Sequence, residues 1–326
     1  MPDTVLAMRA AKLALLVGLC SAPLLQAQAP ECAAYGGDAA RACAAAVDAT
    51  RAFHPLLGIL VSGGNPVLGT GSPLGGLGHV SVTARLNGVE VVLPRLSYDG
   101  GGATVPRGRK LFAPAPQVEA AIGVYGGLPS GLLAIDALAS AQLLPVETFD
   151  DLRVAEDSRH IGDVALGLGI GARVGILREL GPLPGLSISV MRRDLPALTY
   201  GDLQAGDGFE YTVDLRATNL RLVASKQVAV LDLAAGLGWD RYTGDALIRV
   251  GDSSVPVAGG TADVPVELRT SRASAFVNAG FSLSIIRLVG EVGYLGAKDQ
   301  NLGTEFDDFD PAKGTFFGGV GLRVGF

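Results

Sequence analysis

Residues 164–176 alternate with a period of two: Val164, Leu166, Leu168, Ile170, Val174 and Ile176 share one side, and Ala165, Gly167, Gly169, Gly171, Arg173 and Gly175 share the other. That period belongs to an extended strand whose two faces meet different surroundings. The last thirteen residues repeat the pattern. Phe316, Gly318, Val320, Leu322, Val324 and Phe326 point one way, and Phe317, Gly319, Gly321, Arg323 and Gly325 the other. A soluble sheet that buries its apolar face has no reason to line the opposite face with glycine and a lone arginine. A strand with lipid outside and a crowded polar lumen inside does.

Composition points the same way. The chain has 326 residues, of which 46 are glycine and 18% are charged, with a formal net charge of -6. Its mean hydropathy is +0.37, high for a soluble protein, yet beyond the first thirty positions no run of 18 or more uninterrupted apolar residues occurs. Only helices and closed barrels satisfy every backbone group inside hydrocarbon, so the expected membrane solution is a barrel. A glycine-rich soluble sandwich is the competing fold. The mild acidity disfavours nucleic acid as a partner.

The chain is expected to divide into three parts. Residues 1–27 read as an export signal, with Arg9 and Lys12 before the apolar stretch 13–19 and Leu25-Gln26-Ala27 at the cleavage site. Cys20 follows a bulky leucine, which departs from the lipoprotein pattern. Residues 28–76 lack strand alternation. An alanine-rich stretch over 44–60 predicts a helix, and a glycine- and proline-rich stretch over 62–78 predicts an irregular segment. This part is a periplasmic linker or a plug in the lumen. Cys32 and Cys43, in an oxidising compartment, are a candidate disulfide if Gly36-Gly37 bends the chain. Along one straight helix they would stand roughly 16 Å apart, too far to bond.

Residues 77–326 read as an antiparallel, up-and-down transmembrane β-barrel of about ten strands, with ten to fourteen allowed. The candidate strands are 79–86 with an extension to 93, 118–126, 132–143, 164–176, 186–193, 209–223, 228–239, 272–283, 286–295 and 316–326. Asn87-Gly88 inside the first is also a two-residue hairpin signal, and a true turn there raises the expected number to twelve. Short and long connections alternate along the chain, as in outer-membrane barrels with short periplasmic turns and longer external loops. On a uniform apolar-out pattern the lumen is lined by Arg85, Glu119, Asp136, Arg173, Glu210, Asp214, Arg216, Asp232, Arg272, Arg287, Glu291 and Arg323. Opposed charges can pair and fill a narrow interior, or they can line a polar conduit gated by the N-terminal segment. Trp239, Tyr242, Tyr294, Phe316 and Phe326 lie near strand ends, where interfacial aromatics sit.

The terminal strand ending in Phe326 resembles the C-terminal signal of bacterial outer-membrane proteins. That resemblance implies outer-membrane lipid and the barrel-assembly machinery as partners. Asn65-Pro66 in the glycine-rich segment is similar to the Asn-Pro element in the N-terminal hatch of FadL-type outer-membrane transporters, which implies passive passage of a small solute, hydrophobic ones included.

Other chemistry is sparse. Glu305, Asp307, Asp308 and Asp310 form a candidate cation-binding loop without EF-hand spacing. His160 with Asp157 and Asp163 resembles part of the rim site of the omptin proteases, but the second acidic pair is not assignable. No Gly-x-Ser-x-Gly, His-Glu-x-x-His or phosphate-binding glycine loop occurs. The expectation is therefore a non-enzymatic barrel of the bacterial outer membrane, without cofactor, serving as a channel or passive transporter. The alternatives are a structural or surface-interaction barrel with a filled lumen, and a rim-active hydrolase.

Overall fold

The computed structural model describes residues 29–102, 104–129, 132–145, 152–154, 159–161, 164–251 and 263–326. The expected signal segment and the acids Asp157 and Asp163 lie outside them.

Ten long antiparallel strands close into one barrel. They are β1 (Val80–Pro94), β2 (Arg107–Tyr125), β3 (Ile135–Pro145), β4 (Val164–Leu177), β5 (Gly185–Tyr200), β6 (Phe209–Val228), β7 (Leu231–Val250), β8 (Asp263–Leu283), β9 (Ile286–Leu295) and β10 (Thr315–Gly325). Each pairs with its neighbour in sequence, and β1 pairs with β10 from Ser81↔Gly325 to Val89↔Phe317, which closes the ring. Closure removes the unpaired edge that hydrocarbon would not tolerate. Asn87-Gly88 does not turn. β1 runs through it, because Asn87 turns its amide inward to donate to the Leu60 carbonyl at 3.0 Å.

The strands are longer than a bilayer requires. β6, β7 and β8 reach 20, 20 and 21 residues, against roughly 9–11 for a tilted span. The extra length rises from the end that carries the long connections. Several stretches expected to be loops are therefore strand, including 107–116 and 242–247. β5 continues across Pro196 by a register shift between Leu195 and Leu198.

Outward residues of the lower half are apolar and exposed, among them Leu86, Val118, Ile170, Leu237, Val277 and Val320. Trp239, Tyr294, Phe316 and Phe326 are exposed on the same outer surface. In the upper half the polarity inverts without any change in the alternation. Phe209, Tyr211, Val213 and Leu215 face inward and are buried, while Glu210, Thr212, Asp214 and Arg216 face outward. This corrects the expectation for Glu210, Asp214 and Arg216. They lie above the apolar band, where water is outside and packed side chains are inside. Tyr242 is corrected for the same reason: it is fully buried against the lumenal helix and does not sit at the interface.

That helix, α1 (Gly37–Ser62), starts about two turns before the expected 44–60. By length and composition it could cross a membrane, yet most of it is buried inside the protein. It packs against β1 and β2 on one side and β6, β7 and β8 on the other, so it lies in the lumen. Arg41 donates to the Gly100 carbonyl at 2.6 Å in the β1–β2 loop, which places the N-terminal end of α1 at the long-loop mouth. Pro55 lies inside the helix and cannot donate to the Arg51 carbonyl. With its amide oriented to donate, Gln300 fills that vacancy at 3.0 Å. Gly36 precedes the helix and Gly37 takes φ +59°, a left-handed bend that brings Cys32 back to bond Cys43, with Cα atoms 5.8 Å apart.

Candidate functional site

From Ser62 the chain descends through the lower lumen and leaves at the short-turn mouth, where β1 begins. Gly63 ends the helix at φ +59° and ψ −166°, open to glycine alone; a Cβ there would stand 2.4 Å from an Arg85 nitrogen. The barrel wall then binds the backbone of the segment group by group. The buried Glu291 carboxylate accepts from the amides of Gly64 and Asn65, and from the Asn278 side chain, each at 2.8 Å. Arg221 donates to the carbonyls of Gly63 at 2.9 Å and Gly64 at 2.8 Å. Arg85 donates to Asn65 O at 2.9 Å, Arg323 to Leu68 O, and Asp136 accepts from Leu74 N at 3.3 Å. A polar segment without regular structure survives inside a barrel only when its backbone groups are met in this way.

Most of the charges around the segment form one connected set. Arg85 bridges Glu291 at 2.6 Å and Glu119 at 3.3 Å, and Glu119 also meets Arg193 at 3.1 Å. Asn219 accepts from Arg193 at 2.6 Å and donates to Asp240 at 2.6 Å, and Asp240 pairs with Arg221 at 2.6 Å. Arg173 pairs separately with Asp136 at 2.8 Å. Each buried charge would be costly alone, and each acid here is shared.

Of the residues expected to line the lumen, Arg85, Glu119, Asp136, Arg173, Asp232, Arg272, Arg287, Glu291 and Arg323 do face it. Arg193, Arg221 and Asp240 belong to the set but were not singled out from the sequence. Strict continuation of the alternation from Phe209 to Ser225 would have found Arg221. The four loop carboxylates do not converge. Asp308 pairs with Arg107 at 2.8 Å, Asp310 caps Ala312 N at 3.0 Å, and Glu305 sits in a short parallel pairing with Thr104. No group of three metal-ligating side chains occurs among the described residues.

Above the polar set, α1 is wrapped in apolar side chains and carries one buried base. His54 sits at the level of Thr243 and Gly244, above the apolar band, and is 1% exposed. Burial pushes its imidazole from 6.5 down to about 4, against a backbone hydrogen bond with Thr243. A depressed histidine costs nothing above pH 6.5, where it is neutral whether the helix is docked or free. As pH falls from 6.5 to about 4 the undocked form takes up the proton first. Helix docking is expected to weaken over that window by about 3 kcal/mol in total. Protease protection of α1 as a function of pH measures it. His54→Asn should flatten the profile, and an unchanged profile would exclude His54 as the cause.

Phe53, Leu57 and Leu60 of α1 also wall an apolar cavity of about 40 Å3 with Val91, Ala113, Pro114, Leu144, Leu198 and Tyr211. Beside it the β2–β3 ladder stops. Pairing runs from Tyr125↔Ile135 up to Gln117↔Gln142, although β2 continues to Arg107 and β3 to Pro145. The next partners on β2 include Pro116 and Pro114, which have no N–H to give, so the wall is unladdered there.

The closed ring, the outer apolar band and the polar, self-filled interior define a transmembrane β-barrel of the outer-membrane type, plugged by its own N-terminal segment. No family model and no curated protein matches the chain. Among solved structures it is similar to the translocator domain of the autotransporter NalP from Neisseria meningitidis, at 14% identity and TM-score 0.42, over 85% of this chain and 98% of that one. It is also similar to the Pseudomonas putida toluene transporter TodX, at 11% identity and TM-score 0.28, over 76% of this chain and 87% of that one. Neither reaches a TM-score of 0.5, and the class rests on the molecule's own geometry.

Proposed function

We propose that the protein is a plugged conduit of the bacterial outer membrane that admits a small apolar solute. The observation that carries this reading is the apolar cavity between α1 and the wall, placed beside the unladdered stretch of β2 and β3. A solute leaving water at the long-loop mouth would find an apolar surface around α1, and the proline-interrupted wall offers a lateral way toward lipid. The cavity holds little in its present volume, so passage requires α1 to shift. The depressed basicity of His54 and the absence of any charge among the cavity's lining residues suit an apolar cargo over an ion.

A second reading is a barrel whose plug never moves, favoured by the density of ion pairs around residues 63–74. Proteoliposomes and a small apolar fluorophore, N-phenylnaphthylamine, separate the two. The conduit predicts protein-dependent uptake, blocked by Leu57→Trp, which fills the cavity. Pro114→Val with Pro116→Val restores two ladder donors and is expected to slow uptake by about thirtyfold, if each bond contributes on the order of 1 kcal/mol to closing the wall. Uptake equal to that of empty liposomes, from protein shown to be inserted, would leave the fixed plug.

A further inference from the structure

The short-turn mouth opens into a polar chamber of about 770 Å3, within the range of small-ligand sites. Arg287 of β9 and Arg323 of β10 line it and stand directly opposite each other across their strand pair. Like charges in facing positions repel unless a counter-charge lies between them. Asp232 stands 3.4 Å from Arg287 and also accepts from Ser282. Arg323 is 2% exposed and forms no ion pair with a carboxylate among the described residues; its bond is to the Leu68 carbonyl. At the rim, Lys226 is already paired with Glu179 at 3.3 Å.

A second feature points to a ligand. Ser81 and Ser225 line the same chamber, are 4% and 5% exposed, and their buried hydroxyls have no hydrogen-bond partner among the described residues. Two guanidinium forks and two free hydroxyls, with one acid among them, match an oxyanion, which takes donors from several sides at once. A cation would face the same arginines as like charges.

We propose that this chamber is a binding site for a small solute bearing a carboxylate or phosphate group, with Arg287 and Arg323 gripping the oxyanion and Ser81 and Ser225 donating to its flanks. The site lies at the opposite end of the barrel from the apolar cavity and stands independently of the conduit reading.

The test is calorimetric titration of the refolded barrel, in zwitterionic detergent and at constant ionic strength, with inorganic phosphate, succinate and choline. Saturable binding of phosphate or succinate, with none of choline, is expected, and the preferred anion assigns the group recognised. Arg287→Gln, at a half-buried position that tolerates the change, should weaken binding at least tenfold. Arg323→Gln should do the same, and Ser81→Val less. Absence of saturable binding by either anion overturns the proposal, as does binding that Arg287→Gln leaves unchanged.

Discussion

Glu291→Ala is expected to release the plug. The carboxylate is fully buried and serves four partners: the Gly64 and Asn65 amides, Asn278, and Arg85 at 2.6 Å. Alanine leaves two backbone donors unmet and leaves Arg85 to share Glu119 with Arg193. Breaking a buried pair by removing one partner costs about 3–5 kcal/mol, because the other charge stays in low dielectric without compensation. The variant should lose protease protection over residues 63–78 and unfold at a lower urea midpoint. Glu291→Gln keeps the shape and one acceptor and should fall between. An unfolding free energy within about 1 kcal/mol of wild type would mean that the segment is held chiefly by the arginines, which donate to its carbonyls.

Removing residues 29–76 is expected to open the barrel. The helix and the glycine-rich segment occupy the lumen from one mouth to the other, so the intact protein should be nearly silent in a planar bilayer. The truncated one should show discrete current steps. With Arg85, Arg173, Arg193, Arg221, Arg272, Arg287 and Arg323 facing Glu119, Asp136, Asp232, Asp240 and Glu291, the uncovered lumen carries more positive than negative groups, and a modest preference for anions is expected. Heat-modifiable migration on gels confirms that the truncated strands still form a ring. Folded truncated protein that stays silent would mean that the inward side chains collapse into the vacated space and fill it.

Much of the architecture was legible in the sequence because period two is a strong signal in every strand. Residues 164–176 and 314–326 revealed a two-faced wall, and alternating connection lengths gave the ring and its two unlike ends. The misplaced lumenal residues share one source. An apolar-out pattern holds only where lipid is outside. At Glu210, Asp214, Arg216 and Tyr242 the same strands have left the bilayer, and the buried partner is α1. Strand continuity through Phe209–Val228 would have exposed the conflict: Glu210 and Arg221 cannot both point inward from one regular strand. The shared acids of the lumen were beyond sequence reading for another reason. Which arginine meets Glu119 depends on how strands far apart in the chain curl to face each other.

The chain passes once through its own ring, entering beside the long loops and leaving beside the short turns. Its covalent continuation is β1, while Glu291 of β9, Asn278 of β8 and Arg221 of β6 grip it from across the lumen. A ring completed first would have to be threaded, a step that folding chains avoid. Wrapping the strands around a segment already in place requires none. The plug thereby serves as a mandrel, sizing the circle before its first and last strands meet.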